Sequence, residues 1–178
     1  IAQAIIQNKQ GSFSETTYPS LIDLLEKIYS LAEMREEEEL STGDIFREAR
    51  LITESNKDFA FIKKLIQAGL KIEDQFFYLY VVWKTITGNE TTDINLAAED
   101  LFDSSVSKIK YVQSMLSEEN ELIKKGLIEL EEAAFFNDTE VKLSSESIDL
   151  LKQEGIKIHA NKKKKHKKED WYRDEKTA

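Results

Sequence analysis

The sequence predicts a mainly α-helical protein, with a bundle of helices in residues 1–88 and a β-hairpin late in residues 89–158. Two observations favour helix. One Pro and six Gly among 178 residues leave few turn-forming residues for a chain of many short strands. Apolar side chains also recur at three- and four-residue steps over residues 20–87. A third observation indicates the hairpin: apolar residues up to Leu130 are followed by the polar Asn137 and Asp138 and then by alternating polarity over residues 140–143.

Two helices are predicted before residue 56. The first covers residues 19–39 behind Pro19, a residue suited to a first helical turn, and its acidic end from Glu36 to Glu39 is expected to be solvated. The second is signalled by Ser41 or Thr42 as a cap, followed by apolar residues on one face. Each helix is therefore expected to bury its apolar face and to expose its polar face.

Two more helices complete the bundle. The third carries Phe59, Ile62 and Leu65 and is expected to stop at Gly69, because glycine adopts the left-handed cap conformation at little cost. The fourth spans residues 74–87 and ends at Gly88. It is apolar on nearly every side, which indicates a central buried helix.

Residues 89–158 are predicted to begin with a short strand and two helices joined by a tight turn. Ile94 to Leu96 are expected to form the strand, and residues 97–102 a short helix. Ser104 or Ser105 is expected to cap the next helix, whose periodic apolar residues are Val106, Ile109, Val112 and Leu116. This pair of helices is a predicted helix-turn-helix.

The hairpin and a last helix follow. Residues 127–143 are expected to form two strands around Asn137 and Asp138, and Ser144 or Ser145 to cap a helix that stops at Gly155. Helix, strand, helix-turn-helix, two-stranded wing and helix is the order of a winged-helix fold. We therefore predict a helical region over 1–88 and a winged-helix subdomain over 89–158.

Residues 159–178 have a different composition. They contain eight Lys or Arg and four acidic residues, a balance of +4, whereas the whole chain carries −9, which leaves −13 for residues 1–158. The lysine run of 162–168 is expected to be a solvated linker or tail, with the folded unit ending near residue 158. Because the sequence starts at Ile1 rather than Met, we expect it to be part of a longer chain.

Several kinds of active site are disfavoured by composition. The absence of cysteine removes thiolate chemistry and disulfides, and the two histidines, His159 and His166, both lie in the charged tail, away from a rigid scaffold. No glycine opens a G-x-x-x-x-G-K-[ST] phosphate-binding loop. We expect no catalytic, cofactor or metal site in this segment, no membrane span and a cytoplasmic location; a small acidic enzyme using carboxylate pairs is the weakest alternative.

Residues 116–130, LSEENELIKKGLIEL, continue through residues 139–144, TEVKLS, into a helix that reaches Leu151. This pattern resembles the winged-helix region that precedes the ATPase module in a group of bacterial AAA-type ATPases. About 40 of the 178 residues carry the resemblance, and Glu121 stands where that group often has Pro. The resemblance implies a regulatory or substrate-recruiting domain on the N-terminal side of the ATPase, with ATP and Mg²⁺ bound only by the module beyond Ala178.

Two kinds of partner are open for such a domain, a protein or duplex DNA. Winged helices often read the major groove with the second helix of the motif and touch the backbone with the wing. However, residues 104–143 hold five Lys and eight acidic residues. Duplex DNA is a polyanion, and a surface with more acidic than basic side chains does not provide the electrostatic attraction on which DNA binding depends. We therefore favour protein docking over a DNA-binding regulator. The candidate contact residues for either partner are Ser107, Lys108, Lys110, Tyr111, Lys124, Lys125, Phe135, Phe136 and Lys142.

Phe135 and Phe136 are candidates for a separate reason. They stand beside Asn137 and Asp138 at the predicted hairpin tip, where two phenyl rings are exposed unless something covers them. We expect this tip to pack either on the leading helices or on a protein partner.

Overall fold

The computed structural model describes residues 16–132 and 139–158. Over these residues the chain is mainly helical and carries a small three-stranded antiparallel sheet. The predicted helical class and the predicted hairpin are thus both confirmed. The predicted tip residues Phe135 and Phe136 and the predicted tail of 159–178 lie outside the described residues.

Four helices form the first half of the described chain: α1 (Leu21–Glu36), α2 (Thr42–Ser55), α3 (Ala60–Gln67) and α4 (Ile72–Ile86). They match the four predicted helices to within a few residues. The first starts later than predicted because Ser20, not Pro19, ends the extended chain, and its side chain accepts a hydrogen bond from the amide of Asp23. The acidic end of α1 is exposed, as the charge run predicted.

The second half contains shorter elements: β1 (Thr92–Asp93), α5 (Ile94–Leu101), α6 (Ser105–Leu116), α7 (Glu121–Lys124), β2 (Ile128–Glu132), β3 (Thr139–Leu143) and α8 (Ser145–Gln153). The strand order in the sheet is β1-β3-β2, and both pairings are antiparallel. In the hairpin, Ile128 lies opposite Leu143 and Leu130 opposite Val141. Strand β1 pairs with the outer side of β3, so the hairpin is joined to the start of α5.

The predicted strand of Ile94 to Leu96 is wrong by two residues. Residues 94–96 form the first turn of α5, and the strand is Thr92–Asp93. The cause is Asp93, whose carboxylate accepts hydrogen bonds from the amides of Asn95 at 2.8 Å and Leu96 at 3.2 Å. An aspartate that caps two amides starts a helix where the apolar pattern alone suggested a strand.

Helix α4 is the central element of the core, as predicted. Every residue from Phe76 to Val82 is buried. Its neighbours include α1, α2, α5 and strand β3, so one apolar cluster contains residues of both halves of the chain. The predicted boundary at residue 88 therefore separates two stretches of sequence that share a core.

Side chains on α1 and α2 donate hydrogen bonds to the carbonyl groups at the end of α5. Arg35 on α1 is buried, and its guanidinium donates hydrogen bonds to the backbone oxygens of Glu99 and, at 3.0 Å, of Asp100. Thr42 donates its hydroxyl to the backbone oxygen of Leu101 at 2.8 Å. These carbonyls have no partner within their own helix, so residues 59–65 positions away in sequence supply the missing donors.

Replacing Arg35 with methionine is expected to lower the free energy of unfolding by about 2–3 kcal/mol, because two partly buried backbone carbonyls lose a charged donor while the apolar part of the side chain is kept. Chemical denaturation of the full chain measures this. Arg50→Met is the matched control, since Arg50 is exposed and its loss is expected to change stability by less than about 0.5 kcal/mol. Equal effects of the two substitutions would contradict the capping role.

Two helices end with a left-handed glutamate. Glu38 after α1 and Glu118 after α6 have φ of 64° and 61°. After α6 the amide of Glu118 donates to the carbonyl of Met115 and that of Glu119 to the carbonyl of Ser114, which is the Schellman pattern. Most helices with this ending have glycine at that position, because a side chain makes the conformation costly.

The substitution Glu118→Gly is therefore expected to raise the free energy of unfolding by about 0.5–1 kcal/mol, by removing the cost of a left-handed side chain. Thermal unfolding monitored by circular dichroism would show a higher midpoint. In contrast, Glu119→Gly is expected to destabilise, since Glu119 is not among the described residues with positive φ. The prediction fails if both glycines lower the midpoint equally.

Candidate functional site: the exposed face of α6

The most unusual surface of the described chain is the outer face of α6. Val106 is 60% exposed, Ile109 61% and Leu116 41%. Together with Gln113 they recur at three- and four-residue steps, so they lie in one row along the helix. We call Val106, Ile109, Gln113 and Leu116 the α6 stripe. On the neighbouring helix α5, Leu96 is also 64% exposed.

The opposite face of α6 determines this orientation. Tyr111 and Met115 are buried, and the Tyr111 ring packs against Phe77 and Phe102 at centroid distances of 5.3 and 5.1 Å. Because a helix of this length can bury only one face against α4 and α5, burial of the tyrosine and methionine places the stripe outside.

A buried polar cluster holds α6 against α4. The Tyr111 hydroxyl donates to Asp74 Oδ1 at 2.8 Å, and Asn120 Nδ2 donates to the same oxygen at 3.1 Å. Asn120 also caps α7, because its Oδ1 accepts from the Leu122 amide at 2.9 Å. Burial, and then the adjacent Asp74, raise the pKa of Tyr111 well above its ordinary value. The phenol therefore stays protonated and acts as a donor.

Tyr111 was predicted to be an exposed contact residue, and this is wrong. The residue is only 8% exposed, and its hydroxyl donates a hydrogen bond to Asp74. The prediction failed because the sequence of α6 has two possible apolar faces. Tyr111 lies, with Met115, on the face that the structure buries.

The remaining candidates on α6 are accessible to different degrees. Ser107 and Lys110 are exposed, whereas Lys108 is partly covered and its Nζ lies 3.0 Å from Glu99 Oε1 on α5. Lys108 thus forms an ion pair within the protein and is less available to a partner. Lys110 lies on the flank of the stripe, toward an adjoining cleft.

This cleft has a volume of about 480 Å³ and runs between the flank of α6 and the first turns of α2 and α4. Phe46 and Phe102 pack edge to face in its lining, with ring centroids 5.9 Å apart. Charged side chains of both signs complete the lining: Lys71, Glu73, Lys110, Glu119 and Glu121. The cleft therefore combines an apolar floor with a mixed charged rim beside the stripe.

The three other described candidates lie beyond α6. Lys124 and Lys125 are exposed at the end of α7, and Lys125 lies 4.0 Å from Glu121. Lys142 on β3 is held by Glu131 at 3.0 Å, a contact that, with the nearby Glu129, raises the pKa of the lysine. A lysine paired with two carboxylates is less available to a phosphate backbone.

Other kinds of site are not seen in residues 16–132 and 139–158. These residues contain no group of three or more His, Asp or Glu side chains placed to hold a metal ion. Within the same ranges, no helix is both long and apolar enough to span a membrane.

No protein-family model, curated protein or solved structure matches the chain.

The exposed stripe is the feature that the sequence pattern did not assign. Val106, Ile109, Val112 and Leu116 were predicted as the apolar row that defines the helix. Three of them, Val106, Ile109 and Leu116, face solvent, whereas Val112 is partly buried against the core. One signal was present: Gln113 interrupts that row, whereas Tyr111 and Met115 are apolar neighbours one turn apart.

Proposed function

We propose that this chain is a non-catalytic winged-helix domain that docks other polypeptides for an AAA-type ATPase, with α6 as the docking helix. The observation that carries the proposal is the apolar outer face of α6, where a DNA-reading helix needs polar and basic side chains. Exposed apolar rows of this kind mark surfaces that bind proteins.

The topology supports the winged-helix part of the proposal. Strand β1 is followed by two helices joined by a short turn, and then by an antiparallel hairpin. The first strand pairs with the second strand of the hairpin, which gives the order β1-β3-β2. In this interpretation α5 and α6 are the helix-turn-helix and residues 128–143 are the wing.

Charge supports a protein partner over duplex DNA. Residues 1–158 carry −13, and two of the candidate contact lysines, Lys108 and Lys142, lie 3.0 Å from carboxylates. A DNA-binding surface gains its affinity by replacing counterions with free Lys and Arg. The alternative, a winged-helix transcription regulator, would depend on Lys110, Lys124 and Lys125.

The link to an ATPase rests on the resemblance of residues 116–151 and is tested most directly in the gene. We expect the reading frame beyond the codon for Ala178 to encode a G-x-x-x-x-G-K-[ST] loop within a few hundred residues, in a protein of the cytoplasm. That loop binds phosphates through backbone amides and a lysine. A stop codon shortly after Ala178 would contradict the ATPase part of the proposal and leave the docking part standing.

The docking part is tested against DNA by fluorescence anisotropy. The full chain is titrated into a labelled mixed-sequence duplex at 50 mM and at 200 mM salt, about the range over which phosphate-dependent binding weakens steeply. We expect no saturable binding at either salt concentration. Tight binding that falls steeply with salt, and that is lost in Lys110→Gln/Lys124→Gln/Lys125→Gln, would instead establish the DNA-binding alternative.

A further inference from the structure

We propose that the α6 stripe binds an amphipathic polypeptide segment that carries Lys or Arg beside its apolar residues. This inference rests on the proposed docking function and names the chemistry of the partner. Three features favour such a partner: the spacing of the apolar side chains, the charges at the C-terminal end of α6 and the composition of the adjoining cleft.

The spacing of the stripe fits a helical segment. Val106 to Leu116 covers eleven residues, and their ten steps span about 15 Å along the helix axis, or about three turns. A partner helix that presents apolar residues at i, i+3, i+4 and i+7 matches a row of this length. Gln113 in the middle of the row offers a hydrogen-bonding group that such a segment can pair.

The charges near the end of the stripe select a basic partner. Glu118, Glu119 and Glu121 lie within five residues after Leu116 and are all exposed. The C-terminus of α6 adds its partial negative charge at the same place. A segment with Lys or Arg at one end is therefore attracted to this end of the stripe, and an acidic segment is repelled.

The charges on the flank of the stripe also favour a basic partner. Lys108 is paired with Glu99, and the rim of the cleft holds two positive side chains, Lys71 and Lys110, against three carboxylates, Glu73, Glu119 and Glu121. The aromatic floor of the cleft suits the aliphatic part of an Arg or Lys side chain, whose charged end then reaches the carboxylates, which outnumber the lysines of the rim.

The test uses two synthetic 18-residue peptides with identical leucine spacing, one with lysine and one with glutamate at every polar position. Each is labelled with fluorescein, and its binding to the full chain is measured by anisotropy. We expect saturable binding of the leucine–lysine peptide and at least about tenfold weaker binding of the leucine–glutamate peptide. Similar affinity for both peptides would overturn the charge selection.

Variants then locate the site. Val106→Ser/Ile109→Ser is expected to weaken binding of the basic peptide at least about tenfold, because two exposed contacts are lost. The matched control is Ile22→Ser/Leu51→Ser, which removes two apolar side chains that are 45% and 39% exposed elsewhere, and it is expected to change affinity less than about twofold. Equal losses in both variants would show that the peptide does not use the stripe.

A third variant tests whether this chain supplies its own occupant. Residues 159–178 carry +4 and contain Trp171 and Tyr172, so they resemble the proposed partner. Substitution of Lys162 to Lys165 by glutamine in the full chain is expected to leave peptide affinity unchanged. A rise of about tenfold would show that the tail already covers the stripe, and would overturn binding of a separate polypeptide.

The results separate this inference from the proposed function. Loss of peptide selectivity with continued absence of DNA binding removes only the basic partner and leaves protein docking intact. Salt-dependent DNA binding through Lys110, Lys124 and Lys125 removes the docking function itself.

Discussion

The substitution Asp74→Ala is expected to lower the free energy of unfolding by about 3–5 kcal/mol. Asp74 is 5% exposed and accepts hydrogen bonds from Tyr111 and Asn120. Hydrogen bonds to a charged acceptor contribute about 1.5–3 kcal/mol each, and the buried phenol and amide would be left without that acceptor. Urea denaturation of the full chain, monitored by circular dichroism, measures the loss.

Two comparisons identify the cause of that loss. Tyr111→Phe is expected to cost about 1–3 kcal/mol, since Asp74 keeps the amide of Asn120 as a donor. Glu73→Ala changes the adjacent, less buried carboxylate, and we expect it to cost less than about 0.5 kcal/mol. A double-mutant cycle of Asp74→Ala with Tyr111→Phe should give a coupling of at least about 1 kcal/mol. Additive effects would contradict the hydrogen-bonded cluster.

This cluster also bears on the proposed docking surface. Asp74 belongs to α4, Tyr111 to α6 and Asn120 to the start of α7, so the three side chains hold α6 at one rotation on the core. If the cluster is lost, the stripe is no longer held outward. Milder variants such as Tyr111→Phe are therefore expected to weaken peptide binding even where the protein remains folded.

The second large effect is expected at alkaline pH. Burial raises the pKa of Tyr78 to about 12, although its hydrogen bond to Ser147 opposes the shift. Burial and the hydrogen bond to Asp100 raise the pKa of Tyr80 well above its ordinary value, and Tyr111 is shifted in the same direction. The folded state therefore holds three protons that the unfolded chain releases near pH 10.

The sign of the pH dependence follows from these shifts. The stability contributed by the neutral phenols is fully present below pH 10 and is lost as the pH rises through the folded-state values. For Tyr78 a shift from 10.0 to about 12 corresponds to about 3 kcal/mol. With Tyr80 and Tyr111 contributing in the same direction, we expect cooperative unfolding between about pH 10.5 and 12.

Tyrosinate absorbance at 295 nm, recorded together with circular dichroism, tests this expectation. The chain has six tyrosines, and we expect the buried ones to ionise only as the helical signal is lost. Tyr78→Phe should reduce the steepness of the alkaline transition, because one buried phenol no longer has to ionise. Titration of all the phenols near pH 10 in a folded protein would refute the assignment.

The local signals in the sequence predicted most element boundaries correctly. Gly69, Gly88 and Gly155 lie at helix ends with φ of 69°, 110° and 82°, and Ser104 and Ser144 cap α6 and α8 as anticipated. These predictions succeeded because a cap depends on backbone groups within a few residues. The missed start of α5 at Asp93 has the same origin, since the cap was present but was not given precedence over the apolar pattern.

The long-range contacts could not be predicted from local sequence signals. Arg35 caps carbonyls on α5, and Glu154 accepts a hydrogen bond at 2.7 Å from the Phe61 amide, where α3 has no capping side chain of its own. Neither residue has a local pattern that identifies its partner. The contacts arise because α4 brings the two halves of the chain around one core.

The class of the protein, its central helix and its hairpin follow from periodicity, composition and turn residues, because those features act between near neighbours along the chain. The face that α6 presents to solvent does not. Tyr111 with Met115 and Val106 with Ile109 are both apolar rows, and the choice between them depends on Asp74 and Asn120, which are distant in sequence and adjacent in space. That choice places an apolar row on the surface, and with it the proposed docking site.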